Sequence, residues 1–108
     1  MFTNRDFNTI VNIVLHSVKD TSAVYLFGSY ATGRATAESD VDVAVLTNGT
    51  LDRKEKLKTL NLLWNEVSAK GLSVDFIIKP YNDFEEEKAL PTMSRVIAQE
   101  GKLLWQKT

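Results

Sequence analysis

Gly28-Ser29, Asp40-Val41-Asp42 and Asp75 are the residues of this chain whose types and spacing suit chemistry. Residues two apart in a strand point to the same face, so Asp40 and Asp42 are carried side by side, roughly 6.5–7 Å apart. Two like charges at that separation repel by about 2–3 kcal/mol at an effective dielectric near 20. A divalent cation between them removes that repulsion, and carboxylate oxygens are the hard ligands that Mg²⁺ prefers, usually together with phosphate oxygens. Gly28 lets the backbone turn sharply and approach a ligand closely. The backbone N–H groups after it, with the Ser29 hydroxyl, form a cradle for phosphate. Asp75 stands between Val74 and Phe76 in an apolar segment, where a carboxylate without a partner or cation is costly. Three carboxylates beside a phosphate-holding turn suit two-metal phosphoryl or nucleotidyl transfer. In that chemistry, positioning and charge neutralisation supply the rate gain.

These residues need elements to hold them. Phe7, Ile10, Val11, Val14 and Val18 recur at helical spacing, which predicts a first helix from about residue 4 to residue 19, capped by Asn4 or Asp6. Ala23–Phe27 reads as a strand ended by Gly28, with one short helical turn and a loop after it. Val41–Leu46 is β-branched and nearly continuous, as in a central strand covered on both faces. Asp52 and Glu55 have capping-box spacing and open a helix running to about Lys70, with Leu57, Leu60, Trp64 and Val67 as its buried stripe and Gly71 as its stop. Leu72–Ile78 is a third strand, followed by a helix from about Asn82 to Ala89. Pro91 suits the first position of a last helix ending near Gly101, and Leu103-Leu104-Trp105 reads as a short extended segment. The fold class is α/β (α+β): a small mixed sheet with helices packed on it, in the order α-β-β-α-β-α-α.

Composition narrows the field. The chain has 108 residues, a length that suits a single domain over residues 1–108 with a core of its own. Its net charge is −1, so sequence-independent nucleic-acid binding is not expected. Cysteine is absent, which excludes disulfides, zinc thiolates and cysteine nucleophiles. No apolar run approaches the roughly 18 residues of a membrane span, and the first residues lack a signal-peptide profile, so a cytoplasmic location is expected. Gly28 and Gly33 have the gap of a P-loop, but Arg34-Ala35 stands where Lys-Ser/Thr is required, and that reading fails.

Gly28-Ser29 with Gly33, then Ser39-Asp40-x-Asp42, then Val74-Asp75-Phe76, resembles the signature of the nucleotidyltransferase superfamily that includes DNA polymerase β. At this length the chain is most similar to the minimal nucleotidyltransferases, the antitoxin halves of HEPN–MNT toxin–antitoxin pairs. The resemblance implies the polymerase β-like nucleotidyltransferase fold and two bound Mg²⁺ ions, with Mn²⁺ as a substitute. It also implies transfer of AMP from ATP to a hydroxyl, a tyrosine of a HEPN-type RNase toxin. Gly28, Ser29, Ser39 and Arg34 would then hold the nucleotide, while Asp40, Asp42 and Asp75 would be both catalytic residues and metal ligands. Many members carry Ala-Arg-Gly in the loop; here the sequence is Tyr30-Ala31-Thr32-Gly33-Arg34, with the basic residue displaced past the glycine.

Larger members complete the base pocket with a further domain, so a second chain is expected to supply that wall, either the HEPN-type toxin or another copy. Two other readings stand beside this one: an antitoxin that neutralises its partner by contact alone, and an enzyme acting on a small-molecule hydroxyl such as that of an antibiotic. Elsewhere the bland readings hold. His16 is a surface or core-edge residue, Arg53, Lys54, Lys56 and Lys58 are the solvated face of a helix, and Glu85-Glu86-Glu87 is solvent-facing charge. Tyr30 in the loop either borders the nucleotide or, as the expectation favours, steadies the loop by packing.

Overall fold

The computed structural model describes residues 2–108. Its elements follow in the order α1 (Asn4–Ser17), β1 (Thr21–Phe27), α2 (Ser29–Thr32), β2 (Val41–Thr47), α3 (Arg53–Ala69), β3 (Val74–Pro80), α4 (Tyr81–Glu87), α5 (Met93–Glu100) and β4 (Lys102–Gln106). The four strands form one sheet in the order β3-β2-β1-β4. β1 runs antiparallel to both β2 and β4, and β2 runs parallel to β3. The expected mixed sheet is present. The extended segment at the end of the chain becomes its fourth strand, with Trp105 opposite Val24.

Alternation along the strands divides the core in two. Val24, Leu26, Val41, Val43, Val45, Phe76 and Ile78 face α1 and α3, meeting Ile10, Val14, Leu63 and Val67. Ala23, Phe27, Ala44 and Leu46 face the other way, onto Phe84 of α4 and Ile97 of α5. The helices α4 and α5 are short, 7 and 8 residues, and α4 packs beside Tyr25 and Ile77 rather than over the start of β2. Lys79 of β3 pairs with Glu87 of α4, and the buried Ser94 of α5 donates to the same carboxylate at 3.0 Å. Glu87 is therefore a tie between three elements rather than solvent-facing charge.

Three details differ from the sequence reading. The cap of α1 is Thr3, which forms a reciprocal capping box with Asp6, so Asp6 is the third residue of that helix. Helix α5 starts at Met93 rather than Pro91, because Thr92 has a hydroxyl that accepts from the Arg95 N–H at 3.3 Å, whereas Leu90 has nothing with which to cap. On α3 the buried residues are Leu63 and Val67, while Leu57 is 52% and Trp64 40% exposed. Only part of the helix surface meets the sheet and α1, so Leu63 takes the central place and the bulkier Trp64, one residue on, is rotated toward solvent.

Candidate active site

The sheet face that carries α4 and α5 is left open at one end, and the candidate residues gather there. Asp42 is the second residue of β2 and lies opposite Phe27, the last residue of β1, on one side. On the other side it is in parallel register with Asp75 of β3. Partnered residues of neighbouring strands share a face, so Asp42 and Asp75 stand next to each other. Asp42 is half-buried, and Asp75 is exposed. The expectation that Asp75 is a costly buried carboxylate is corrected: its side of the sheet is open at that rung.

Asp40 lies one residue before β2 and is exposed. Its Oδ1 accepts a hydrogen bond from Ser73 Oγ at 2.6 Å. Ser73 was absent from the sequence reading; its place two residues before Asp75, matching Asp40 two residues before Asp42, was the available signal.

Electrostatics register the crowding. Burial pushes the Asp42 carboxyl above the ordinary carboxylate range, and the charges of Asp75 and then Asp40 push it further. Unneutralised negative charge is concentrated at this point. The donor set is all carboxylate oxygen, which suits a hard divalent cation. Among the described residues no three acidic or histidine side chains are drawn together tightly enough to enclose one ion.

Gly28 turns the chain away from β1 with φ +74° and ψ −153°. A Cβ at this position would overlap Asp42 Oδ2 and lie 3.2 Å from Asp42 Cγ. Only glycine fits, for reasons of both conformation and space. Ser29 opens α2, whose first N–H groups have no partner inside the helix. Gly33 closes α2 in the left-handed region, and the Arg34 N–H donates to the Ser29 carbonyl at 2.9 Å. The other side of α2 is anchored: Tyr30 packs edge-on against Phe2 and Phe7, with ring centroids 5.4 and 6.1 Å apart. Ser39 sits away from this turn in its bonding, accepting from the Thr36 N–H at 2.9 Å.

Two hollows lie near these residues, one beside the Gly28 turn and one between α3 and the start of β3. One, of about 380 Å³, is lined by Gly28, Ser29, Thr32 and Arg34 with Met93, Val96 and Glu100 of α5. Arg34 thus faces the same space as the glycine-serine turn. The other, of about 360 Å³, is lined by Asp75 and Ser73 with Leu72, Val74 and the exposed Trp64. Neighbouring carboxylates beside an oxyanion-suited turn are an arrangement that, with a divalent cation, can hold a phosphorylated ligand.

A model of the nucleotidyltransferase domain matches residues 8–104. The chain belongs to this family. Among the relatives of this nucleotidyltransferase domain is the protein adenylyltransferase MntA of Shewanella oneidensis, 29% identical over 98 residues, covering 91% of this chain and 63% of MntA. This chain thus spans less than two thirds of the length of that relative. Among solved structures, a toxin–antitoxin complex with AMP-PNP superposes with a TM-score of 0.67 at 25% identity, over 95% of this chain and 75% of the other. A Shewanella oneidensis complex of a tri-AMPylated HEPN toxin with its MNT antitoxin superposes with a TM-score of 0.58 at 25% identity, over 97% of this chain and 74% of the other. The nucleotidyltransferase domain of this chain is thus similar in fold to antitoxins of HEPN toxin pairs.

Proposed function

We propose that this chain transfers AMP from ATP to a tyrosine hydroxyl of a HEPN-type RNase toxin and so acts as that toxin's antitoxin. The observation that carries the reading is Asp42, held between Asp75 on one strand and the Gly28 turn on the other. The membership in the nucleotidyltransferase family and the likeness to MntA support it.

In this reading Gly28 and Ser29 bind the triphosphate through backbone N–H groups and the Ser29 hydroxyl, with Arg34 beside them and Ser39 ordering the approach to Asp40. Asp40, Asp42 and Asp75 would hold two Mg²⁺ ions, for which Mn²⁺ could substitute, and such ions would neutralise phosphate charge and lower the pKa of an attacking hydroxyl. The acceptor oxygen forms a bond to the α-phosphorus as the bond from that phosphorus to the bridging oxygen breaks, and pyrophosphate leaves. The hydroxyl proton passes to Asp75. In-line displacement places the entering and leaving groups on opposite sides of the phosphorus. With the leaving group at the Gly28 turn, on the β1 side, the tyrosine would enter from the β3 side, nearer Asp75.

Incubating this chain with its HEPN-type partner, ATP and Mg²⁺, and weighing the partner, tests the reading. The expected result is addition of whole AMP units that is lost with Asp42→Asn. A partner that is inhibited yet unmodified establishes a contact-only antitoxin, and pyrophosphate release with small hydroxyl compounds alone establishes a small-molecule enzyme.

A further inference from the structure

Asp40 stands outside the strand ladder, and its side chain is exposed. Its carboxylate accepts a bond from Ser73 Oγ at 2.6 Å, across 33 positions of sequence. The parallel register pairs Val41 with Val74 and Asp42 with Asp75, an offset that places Asp40 opposite Ser73 on the next rung. The Val41 N–H donates to the Ser73 carbonyl at 3.3 Å, which pins the two backbones where that rung lies. The side-chain pair therefore extends the ladder by one step, on the face shared by Asp42 and Asp75.

We propose that Ser73 is a positioning residue for Asp40, orienting its carboxylate for a divalent cation before that cation arrives. The inference rests on the proposed metal-binding role of Asp40. A hydroxyl suits the task better than the alternatives at this rung. It donates a single proton, which occupies Oδ1 and leaves Oδ2 open. It is neutral, so it leaves the negative charge of Asp40 in place, whereas a lysine would cancel it. A hydroxyl-to-carboxylate bond of this length is charge-assisted and among the stronger side-chain bonds. Without it the carboxylate must be ordered as the cation binds, and hydrogen-bond partners of metal ligands typically contribute about 10-fold or more to metal affinity.

Mn²⁺ binding, read by electron paramagnetic resonance in the presence of α,β-methylene-ATP, tests the proposal without any transfer step. Ser73→Ala is expected to weaken Mn²⁺ by about 10-fold. Ser73→Thr, which keeps the hydroxyl, is expected to bind within roughly twofold of the unmodified chain, and Ser73→Val, of the same shape without it, to behave like Ser73→Ala. In an Asp40→Asn background the effect of Ser73→Ala is expected to vanish, since the two residues act as one unit. Equal Mn²⁺ affinity in Ser73→Ala and the unmodified chain overturns the proposal, as does an undiminished effect in the Asp40→Asn background. An unmodified chain that takes up no Mn²⁺ with the nucleotide overturns the proposed function and this inference together.

Discussion

Gly28 packs directly against Asp42: a Cβ added to the glycine would overlap the aspartate's Oδ2. The contact joins the end of β1 to the beginning of β2, where Phe27 and Asp42 are paired. It places the phosphate-suited turn directly against a carboxylate whose ionisation is disfavoured by burial and by two neighbouring charges. Such an arrangement is costly to the free protein, and a bound cation would relieve it.

Substitution at the two loop glycines separates space from conformation. Gly28→Ala combines a positive φ with a clash and is expected to lower nucleotide affinity and transfer by about 100-fold or more, with a loss of roughly 1–3 kcal/mol in stability. Gly33→Ala has a similar φ but open space around it, so about 1–2 kcal/mol of stability is lost while transfer survives. Nucleotide titration alongside urea unfolding checks both; equal loss of transfer in the two variants contradicts the geometry.

The pKa of Asp42 sets a pH dependence with a definite sign. A carboxyl whose pKa is raised on folding opposes folding when ionised, so its cost is present at neutral pH and disappears as pH falls through the raised value. Without divalent ions, Asp42→Asn should therefore melt higher than the unmodified chain at pH 7, by a few degrees for a screened effect on the order of 0.5 kcal/mol, with the difference shrinking on acidification. Added Mg²⁺ and nucleotide should raise the melting temperature of the unmodified chain and not that of Asp42→Asn. Thermal melts across pH, with and without Mg²⁺, decide the matter; a destabilised Asp42→Asn at pH 7 would contradict it.

Asp75 is exposed on the groove side, away from the phosphate turn. Asp75→Asn is expected to cut transfer by about 10³-fold, on the scale of losing an acid–base group, while nucleotide uptake changes by less than about 10-fold. Single-turnover transfer measured beside nucleotide binding distinguishes this from a general loss of the site.

On α3, Leu63→Ala removes a side chain that is fully buried and should cost about 2–5 kcal/mol. Trp64→Ala, at a position 40% exposed, should cost about 1 kcal/mol or less. Chemical denaturation of the two variants tests which residue belongs to the core.

Local chemistry carried much of this protein's reading. The valine-rich β2, the Asp52 cap bonded to the Glu55 N–H at 2.8 Å, and the stop at Gly71 are short-range features, and the structure has them where spacing predicted. Helix rotation was harder. Leu57, Leu60, Trp64 and Val67 form as good a periodic stripe as the one that is buried, and only packing against β3 and α1 selects Leu63 and turns Trp64 outward.

The identities of Gly28, Ser29, Asp40, Asp42 and Asp75, and the strands that carry them, were determined by the sequence itself, because turn-forming glycine and alternating strand faces act within a few residues. Tertiary structure decided what those residues meet. The parallel pairing of β2 with β3 sets Asp42 beside Asp75 and Ser73 beside Asp40, partners 33 positions apart. Register between distant strands depends on the burial of whole faces, a property of the assembled sheet that no single segment contains.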